Sequence, residues 1–172
     1  MSGEEGKRVA ELERELGKLR ARLEQIDVVG DELNQKIFDS VHAGVVRVAA
    51  DGSIELANRL GLEFLGLEFD ELTGKYTADF KALREDGEVA DWEEFPVTVA
   101  LRSGQPAGPV TYGVVRPDQS IRWGLFKAVP IVAGGGEVQG AVVSFTDITA
   151  RREVEAKLRD SEALLTAILK GS

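Results

Sequence analysis

Residues 138–157 read VQGAVVSFTDITARREVEAK, and this stretch decides the fold because two different patterns meet in it. Its first part, Gly140 to Phe145, is a short apolar run shortly after a Gly-Gly-Gly turn, which is typical of a buried β-strand. From Ala150 onward the residues are charged and helix-prone. Between the two parts lie Asp147, Ile148 and Thr149, and the two polar side chains can accept hydrogen bonds from the free amides of a starting helix. The stretch therefore predicts a core strand that runs directly into a helix leaving the domain, with these three residues as a signal junction.

The outgoing helix, residues 150–172, has an apolar seam of its own. In a parallel pair of such helices, Lys157 would face Glu162 of the second copy, which is opposite in sign. Ser161 is a weak position in this seam. We expect a C-terminal signalling helix that dimerises through Val154, Leu158, Leu165 and Ile168.

The N-terminal stretch, residues 7–37, repeats apolar residues in a heptad with charged residues between them. Such a narrow seam favours a coiled coil, because a helix packed on a globular domain usually has a wider apolar stripe. The flanking charges Arg8–Glu13, Glu15–Arg20 and Arg22–Asp27 are complementary in a parallel, in-register pair. We therefore predict a parallel homodimer, with a coiled coil over residues 1–30, through Val9, Leu12, Leu16, Leu19, Leu23 and Ile26. A single amphipathic helix folded back on its own domain is the alternative.

The heptad seam weakens at residues 27–31, where Gly30 is a poor interior helix residue. Asp31 can cap a second, short helix from Glu32 to about Val41. We accordingly place the boundary of the globular domain at residue 31 and its end at residue 149.

The composition excludes several classes of site and partner. The 172 residues contain no cysteine, which excludes disulfides, thiolate nucleophiles, cysteine-bound zinc and iron–sulfur clusters. A net charge of −9 argues against nucleic acid and anionic membranes as partners. No apolar run approaches a membrane span or signal segment, so we expect a cytoplasmic protein. The abrupt end at Lys170-Gly171-Ser172 suggests a piece of something longer.

The middle of the chain predicts two strands, several short helices and then three strands. Asp51-Gly52 between two β-rich runs is a hairpin signal. Asn58 can cap a helix over residues 59–65 that Gly66 ends, and residues 70–73 suggest another helical turn. Residues 77–88 read as irregular with one or two helical turns, and residues 91–103 as a helix with Pro96 in its first turn. The predicted strands are residues 45–48, 54–56, 110–116, 121–132 and 140–145.

With these elements in place, the chain from about Phe38 to Thr149 resembles a Per-Arnt-Sim (PAS) sensor domain. The order and spacing of several short motifs carry this likeness. They are Ala50-Asp51-Gly52-Ser53-Ile54 with Ala57-Asn58, Phe64-Leu65-Gly66, Leu72-Thr73-Gly74, Arg116-Pro117-Asp118-Gln119-Ser120-Ile121-Arg122-Trp123, Gly140-Ala141-Val142-Val143 and Asp147-Ile148-Thr149.

The resemblance implies an α+β fold with a five-stranded antiparallel sheet, helices on one face and, in many members, a small-molecule cavity between them. It also implies flanking helices that dimerise and signal to a histidine kinase, a cyclase or a further PAS unit. Two departures limit the cofactor. Light-oxygen-voltage members form a flavin adduct through a cysteine that this chain lacks. Haem-binding members use a histidine from the helix before the third strand, whereas His42, the one histidine, precedes the first strand.

Aromatic side chains are the candidate ligand-binding residues, because they could wall a pocket; they could equally fill a small core. The candidates are Phe80, Trp92, Phe95, Tyr112, Trp123, Phe126 and Phe145. Gly134-Gly135-Gly136 lacks the lysine of a phosphate loop and reads as a turn. The carboxylates among residues 85–94 could do acid–base chemistry, but a solvated acidic face is the simpler interpretation.

The sequence thus favours a non-catalytic, dimeric, cytoplasmic sensory module with no metal site, which relays a cue through its helices to an effector such as a kinase. One alternative is a PAS adapter that dimerises or binds protein and has no ligand. Another is the sensory fragment of a histidine kinase whose catalytic part lies beyond Ser172. An independent enzyme is the least favoured, because no nucleophile–base pair, metal cluster or phosphate loop is visible. A cavity above a few hundred Å³ would favour ligand sensing over the adapter.

Overall fold

The computed structural model describes residues 2–171, with the side chains of all of these except Ser2 and residues 25–30. The chain divides into two compact units between Ser40 and Val41. The predicted seam residue Ile26 has its side chain outside the described part.

The first unit is a single helix, α1, spanning Ser2–Ser40. The predicted break at residues 27–31 is therefore wrong, because the backbone stays helical through Gly30. One glycine costs only about 1 kcal/mol in a helix interior, too little to interrupt 39 residues of otherwise helical pattern. The described seam positions are exposed to similar extents, from 54% at Val9 to 59% at Leu23.

Among residues 2–171, no helix has the length and apolar character needed to cross a membrane.

The second unit is built on an antiparallel sheet whose five main strands are those that the sequence predicts. Their bounds are β1 Gly44–Ala49, β2 Ile54–Ala57, β6 Ala107–Val115, β7 Ile121–Val132 and β8 Val138–Asp147. The strand order among them is β2-β1-β8-β7-β6, so the strand that precedes the exit, β8, lies between β1 and β7. Gly44 of β1 and Phe126 of β7 both pair with Phe145 of β8.

Three further strands of three residues each extend the sheet to eight strands, which corrects the predicted count of five. β3 (Glu68–Asp70) and β4 (Lys75–Thr77) form a hairpin beside β2, and β5 (Lys81–Leu83) pairs with β6 at the opposite edge. The turn between β3 and β4 replaces the helical turn predicted at residues 70–73, and β5 lies in the stretch predicted to be irregular. Runs of three residues are too short to show a period of two.

Short helices connect the strands. α2 spans Arg59–Leu65, as predicted, with Asn58 as its N-cap and Gly66 in the left-handed conformation at its end. The single helix predicted over residues 91–103 is instead a 3₁₀ turn, Trp92–Glu94, followed by α3, Pro96–Ser103. Pro96 opens α3, where a missing amide does least harm. Its fixed φ and the extended conformation of Phe95 separate the two helices.

The core lies between the sheet and the helices α2 and α3. Phe64 of α2 meets the rings of two strand residues, with centroids 4.8 Å from Phe145 and 6.0 Å from Phe126. A smaller cluster of alanines, Ala100, Ala128 and Ala141, lets α3 approach β7 and β8 closely. Small side chains at these contacts bring the helix near the sheet, while the aromatic rings fill the wider space beside it.

Asn58, only 1% exposed, ties the start of β1 to the start of α2. Its Oδ1 accepts hydrogen bonds from the amides of Val45 (2.9 Å) and Gly61 (2.8 Å). Its Nδ2 donates to the carbonyl of Ala43 (2.9 Å). The same side chain therefore caps a helix and fixes a strand.

Replacing Asn58 with alanine should cost about 2–4 kcal/mol of stability, because it removes a helix cap and leaves buried backbone groups without partners. Urea unfolding followed by tryptophan fluorescence measures this, since Trp92 and Trp123 both lie in the second unit. Asn34→Ala, at an exposed position of α1, is the control. A loss below about 0.5 kcal/mol, the range of ordinary surface substitutions, would contradict the role given to Asn58.

Candidate functional site

An apolar cavity of about 100 Å³ lies between the core face of the sheet and the short helices. Its wall is made almost wholly of aliphatic and aromatic carbon. The residues that line it are Val46, Val48, Ile54, Leu65, Phe80, Ala82, Phe95, Pro96, Val97, Tyr112, Val114, Phe126 and Val143. Ligand pockets for drug-sized molecules usually measure about 300–1,000 Å³, so this cavity suits a molecule of only a few heavy atoms.

Four of the seven aromatic candidates line the cavity, namely Phe80, Phe95, Tyr112 and Phe126. The other three do not. Trp92 is 62% exposed on the 3₁₀ turn. Phe145 is buried against Phe64 and faces a separate cleft, and Trp123 lies on the opposite face of the sheet.

Sequence reasoning missed the aliphatic part of the wall, although a signal for it was present. Val46 and Val48 are two residues apart on β1, and Tyr112 and Val114 are two residues apart on β6. Alternate residues of a strand share a face, so these positions could have been assigned to the wall once one of them was. The contribution of α3 through Pro96 and Val97 had no such signal.

Tyr112 brings the one phenol into the wall, and its polar end already has a partner. The hydroxyl donates to the backbone carbonyl of Glu94 at 3.2 Å. Burial raises the pKa of Tyr112, the Glu94 carboxylate raises it further, and Arg84 acts in the opposite direction. The phenol is thus held neutral and engaged.

Arg84 and Glu94 form a two-pronged ion pair beside this hydroxyl. Nε and Nη2 of Arg84 lie 3.0 and 2.6 Å from the two carboxylate oxygens of Glu94. Hydrogen bonds from Arg84 lower the pKa of the Glu94 carboxyl. The carboxylate is therefore an ion-pair partner and is not held in the protonated form that a general acid needs.

Neither flavin nor haem fits this cavity. Both are far larger than a space of about 100 Å³, and the polar edge of a flavin would meet a wall whose phenol is already hydrogen-bonded. His42 is exposed and borders the separate cleft, away from the cavity. Among the side chains described, no three His, Cys, Asp or Glu residues come together to hold a metal ion.

The signal junction matches the predicted cap at Asp147 and departs from it at Thr149. The N-cap of α4 (Thr149–Lys170) is Ile148, which supplies no side-chain bond. Asp147 Oδ1 accepts from the amide of Thr149 (2.9 Å). The Thr149 hydroxyl does not cap the helix: it accepts from the amide of Trp123 at 2.9 Å and so ties the helix start to β7.

Two more contacts hold the junction to β7. The amide of Ile148 donates to the carbonyl of Trp123 (2.8 Å), and Arg122 lies 3.4 Å from Asp147 in a half-exposed ion pair. Asp147, Ile148 and Thr149 are thus each bonded to β7.

Comparisons with known proteins agree with this architecture. A family model described as the PAS fold matches residues 38–153. A PAS domain from Colwellia psychrerythraea is similar over 69% of this chain and 97% of that chain, with 22% identity and a TM-score of 0.50. A sensory box histidine kinase/response regulator from Burkholderia thailandensis E264 is similar over 77% of this chain and 97% of that one, with 21% identity and a TM-score of 0.51.

An RNA-binding light-oxygen-voltage receptor is also similar over 77% of this chain, at 17% identity and a TM-score of 0.47. The chain spans only 37% of that receptor's structure. No curated protein sequence matches the chain. At these identities, the likeness to the Colwellia and Burkholderia structures shows the fold alone.

Tyr112 should titrate above its usual pKa of about 10, because burial disfavours the phenolate. Absorbance at 295 nm in a Tyr76→Phe variant isolates it, since the chain has two tyrosines. The contribution of neutral, buried Tyr112 to the free energy of unfolding is fully present below about pH 10, and it is lost as the pH rises through the raised pKa. The signal should vanish in the Tyr76→Phe/Tyr112→Phe protein. A midpoint at or below about 10 would contradict the burial argument.

Proposed function

Because the chain belongs to the PAS fold family, we propose that it is a non-catalytic, dimeric signal-transduction module that relays a change in its core through α4 to an effector. PAS domains are typically sensory modules. The observation that carries the proposal is the junction, where three consecutive residues, from the last of β8 to the first of α4, are each bonded to β7. A module whose helix only closed the fold would not need such a connection.

The cue that suits this core is a small apolar molecule. The cavity has apolar walls, and its phenol is already bonded, so little remains to recognise a polar ligand. An apolar cavity of about 150 Å³ in another protein holds benzene or xenon, and a space of about 100 Å³ suits a similar or smaller guest. The free energy of binding would come from dispersion and from removing apolar surface from water.

A second candidate function is a PAS adapter that dimerises or binds protein and has no ligand. The cavity volume favours it, because about 100 Å³ falls below the usual range of ligand pockets. In the adapter, filling the cavity would leave the junction unchanged. In the sensor, filling the cavity would change the junction.

The homodimer part of the proposal is supported by the exposed seams of the two long helices. Val9, Leu12, Leu16, Leu19 and Leu23 of α1 are all more than half exposed in the single chain. Val154, Leu158, Leu165 and Ile168 of α4 are exposed to a similar degree. A stripe of this length is stable in water only when a partner covers it, and the complementary charges beside α1 favour a parallel second copy.

The effector is proposed by class only. The similar structure from Burkholderia is that of a sensory box histidine kinase/response regulator. A kinase that receives α4 as a helical input would suit the geometry, and the cytoplasm is the compartment in which we place such an assembly.

Leu16→Asp together with Leu23→Asp should convert the dimer to a monomer, because a charge at two seam positions cannot be buried in the interface. Light scattering measures the mass. Arg14→Asp with Ala21→Asp, on the outward face of the same helix, is the matched control and should remain dimeric. A monomeric unmodified chain would overturn the homodimer.

The parallel orientation has its own test, because the chain contains no cysteine. Leu19→Cys should cross-link efficiently under oxidation, since the two copies of a seam position meet only in a parallel, in-register pair. Lys18→Cys, which points away from the seam, should cross-link poorly. Equal cross-linking of the two variants would contradict the parallel arrangement.

Xenon separates the sensor from the adapter. In xenon-saturated buffer, the amide NMR signals of cavity residues such as Val114 should shift, and in the sensor those of residues 147–152 should shift with them. Ala82→Leu fills the cavity and should abolish both effects, whereas Ala78→Leu, at an exposed position, should not. Shifts confined to the cavity would favour the adapter.

A further inference from the structure

Arg152 is the last point at which α4 is covered by the rest of the second unit. From residue 153 to 170 every side chain of α4 is exposed, whereas that of Arg152 is 32% exposed. Its guanidinium carbon lies 4.2 Å from the centre of the Trp123 ring, and its Nη1 lies 2.8 Å from Oε1 of Glu85. One side chain therefore makes a cation–π contact and an ion pair at once.

The position of Trp123 in this contact is set by the sheet. Trp123 lies on the outer face of β7, since its neighbour Gly124 faces Phe64 in the core. On β6 its pairing partner is Gly113, where an added Cβ would lie 3.2 Å from the indole ring. The indole thus lies close to the backbone of Gly113 and also contacts Arg152. A Cβ at position 113 would require the indole and the side chain of Ile121 to shift by a few tenths of an ångström.

Glu85 belongs to a hairpin that also walls the cavity. The strand β5 turns back after Arg84, and the backbone bonds Arg84 N to Glu88 O and Ala90 N to Ala82 O, each 2.8 Å, close the hairpin over residues 81–90. Ala82 lines the cavity, and β5 is the edge strand, paired within the sheet to β6 alone. An edge hairpin held from one side moves more easily than the strands in the middle of the sheet.

We propose that Glu85, Arg152 and Trp123 form a clamp that couples the edge hairpin to the first turn of α4. It is a second route from the cavity wall to the output helix, separate from the bonds of the signal junction to β7. Its regulatory meaning rests on the proposed function, because a guest that pushes the hairpin outward would draw Glu85 away from Arg152 and loosen α4. The contact between hairpin and helix exists without any ligand.

Hydrogen exchange on the intact chain tests the clamp. Arg152→Gln and Glu85→Gln should each raise the exchange rates of amides 152–157 about two- to five-fold, the range expected for losing an exposed ion pair or a cation–π contact. Trp123→Leu should act similarly. The matched controls are Arg159→Gln, at an exposed position farther along α4, and Glu88→Gln on the same hairpin. Both controls should leave amides 152–157 unchanged.

Coupling requires the effect to run in both directions, because linkage between two sites is reciprocal. Arg152→Gln should therefore also speed the exchange of the hairpin amides of Arg84 and Ala90, while Arg159→Gln should not. The double variant Glu85→Gln/Arg152→Gln should exchange no faster than Arg152→Gln alone, since both remove the same ion pair. Unchanged hairpin amides, additive single effects or equally affected controls would each overturn the clamp.

Xenon distinguishes this proposal from the proposed function. If xenon leaves the cavity signals unshifted, the cavity input fails, while the variants still decide the clamp. If xenon binds, it should raise exchange at amides 152–157 in the unmodified chain and less so in Glu85→Gln. An equal rise in both proteins would exclude the clamp from the path between cavity and helix.

Discussion

The fold depends on the buried side-chain carboxamide of Asn58. This group accepts hydrogen bonds from the backbone amides of Val45 and Gly61 and donates one to the carbonyl of Ala43, so it sets the position of β1 relative to α2. β1 in turn sets β8, because the two strands pair along their length from Gly44 to Ala49. α2 reaches the same strand through Phe64, whose ring lies against Phe145. A side chain that makes three hydrogen bonds is directional in a way that the apolar core is not, so it specifies where the central strand lies.

The central strand β8 leads directly into α4. Ile148, the N-cap of α4, supplies no side-chain bond, but Asp147 Oδ1 accepts a hydrogen bond from the amide of Thr149, the first residue of the helix. The Thr149 hydroxyl and the Ile148 amide are bonded instead to Trp123 of β7. The start of α4 is therefore held both by the end of its own strand and by the neighbouring strand.

The sequence could predict the elements whose patterns are long and the cap whose chemistry is local. The five main strands, α2 and its cap at Asn58 follow from alternation, an Asp-Gly turn and N-cap preference. The short edge strands could not be predicted, because three residues show no period. The error about the cavity wall was avoidable: Trp123 and Phe126 are three residues apart on one strand, and an odd spacing places them on opposite faces. The bond between Thr149 and β7 could not have been predicted. A threonine hydroxyl can either cap a helix or bond to a neighbouring strand, and only the position of Trp123 in the folded chain determines which bond forms.

The energies involved suit a small cue. Exposed ion pairs and cation–π contacts are worth about 0.5–1 kcal/mol each, so the attachment of α4 beyond the junction is weak. A ligand binds with at most about 1.5 kcal/mol per non-hydrogen atom, so even a guest of a few atoms can supply a few kcal/mol. Only the difference in its affinity between the attached and released states acts on the helix. A cavity of about 100 Å³ is therefore large enough to bias this junction, provided that releasing α4 changes the shape of the wall. The edge hairpin would meet that condition in the proposed clamp, because Ala82 lies in the wall and Glu85 lies against Arg152.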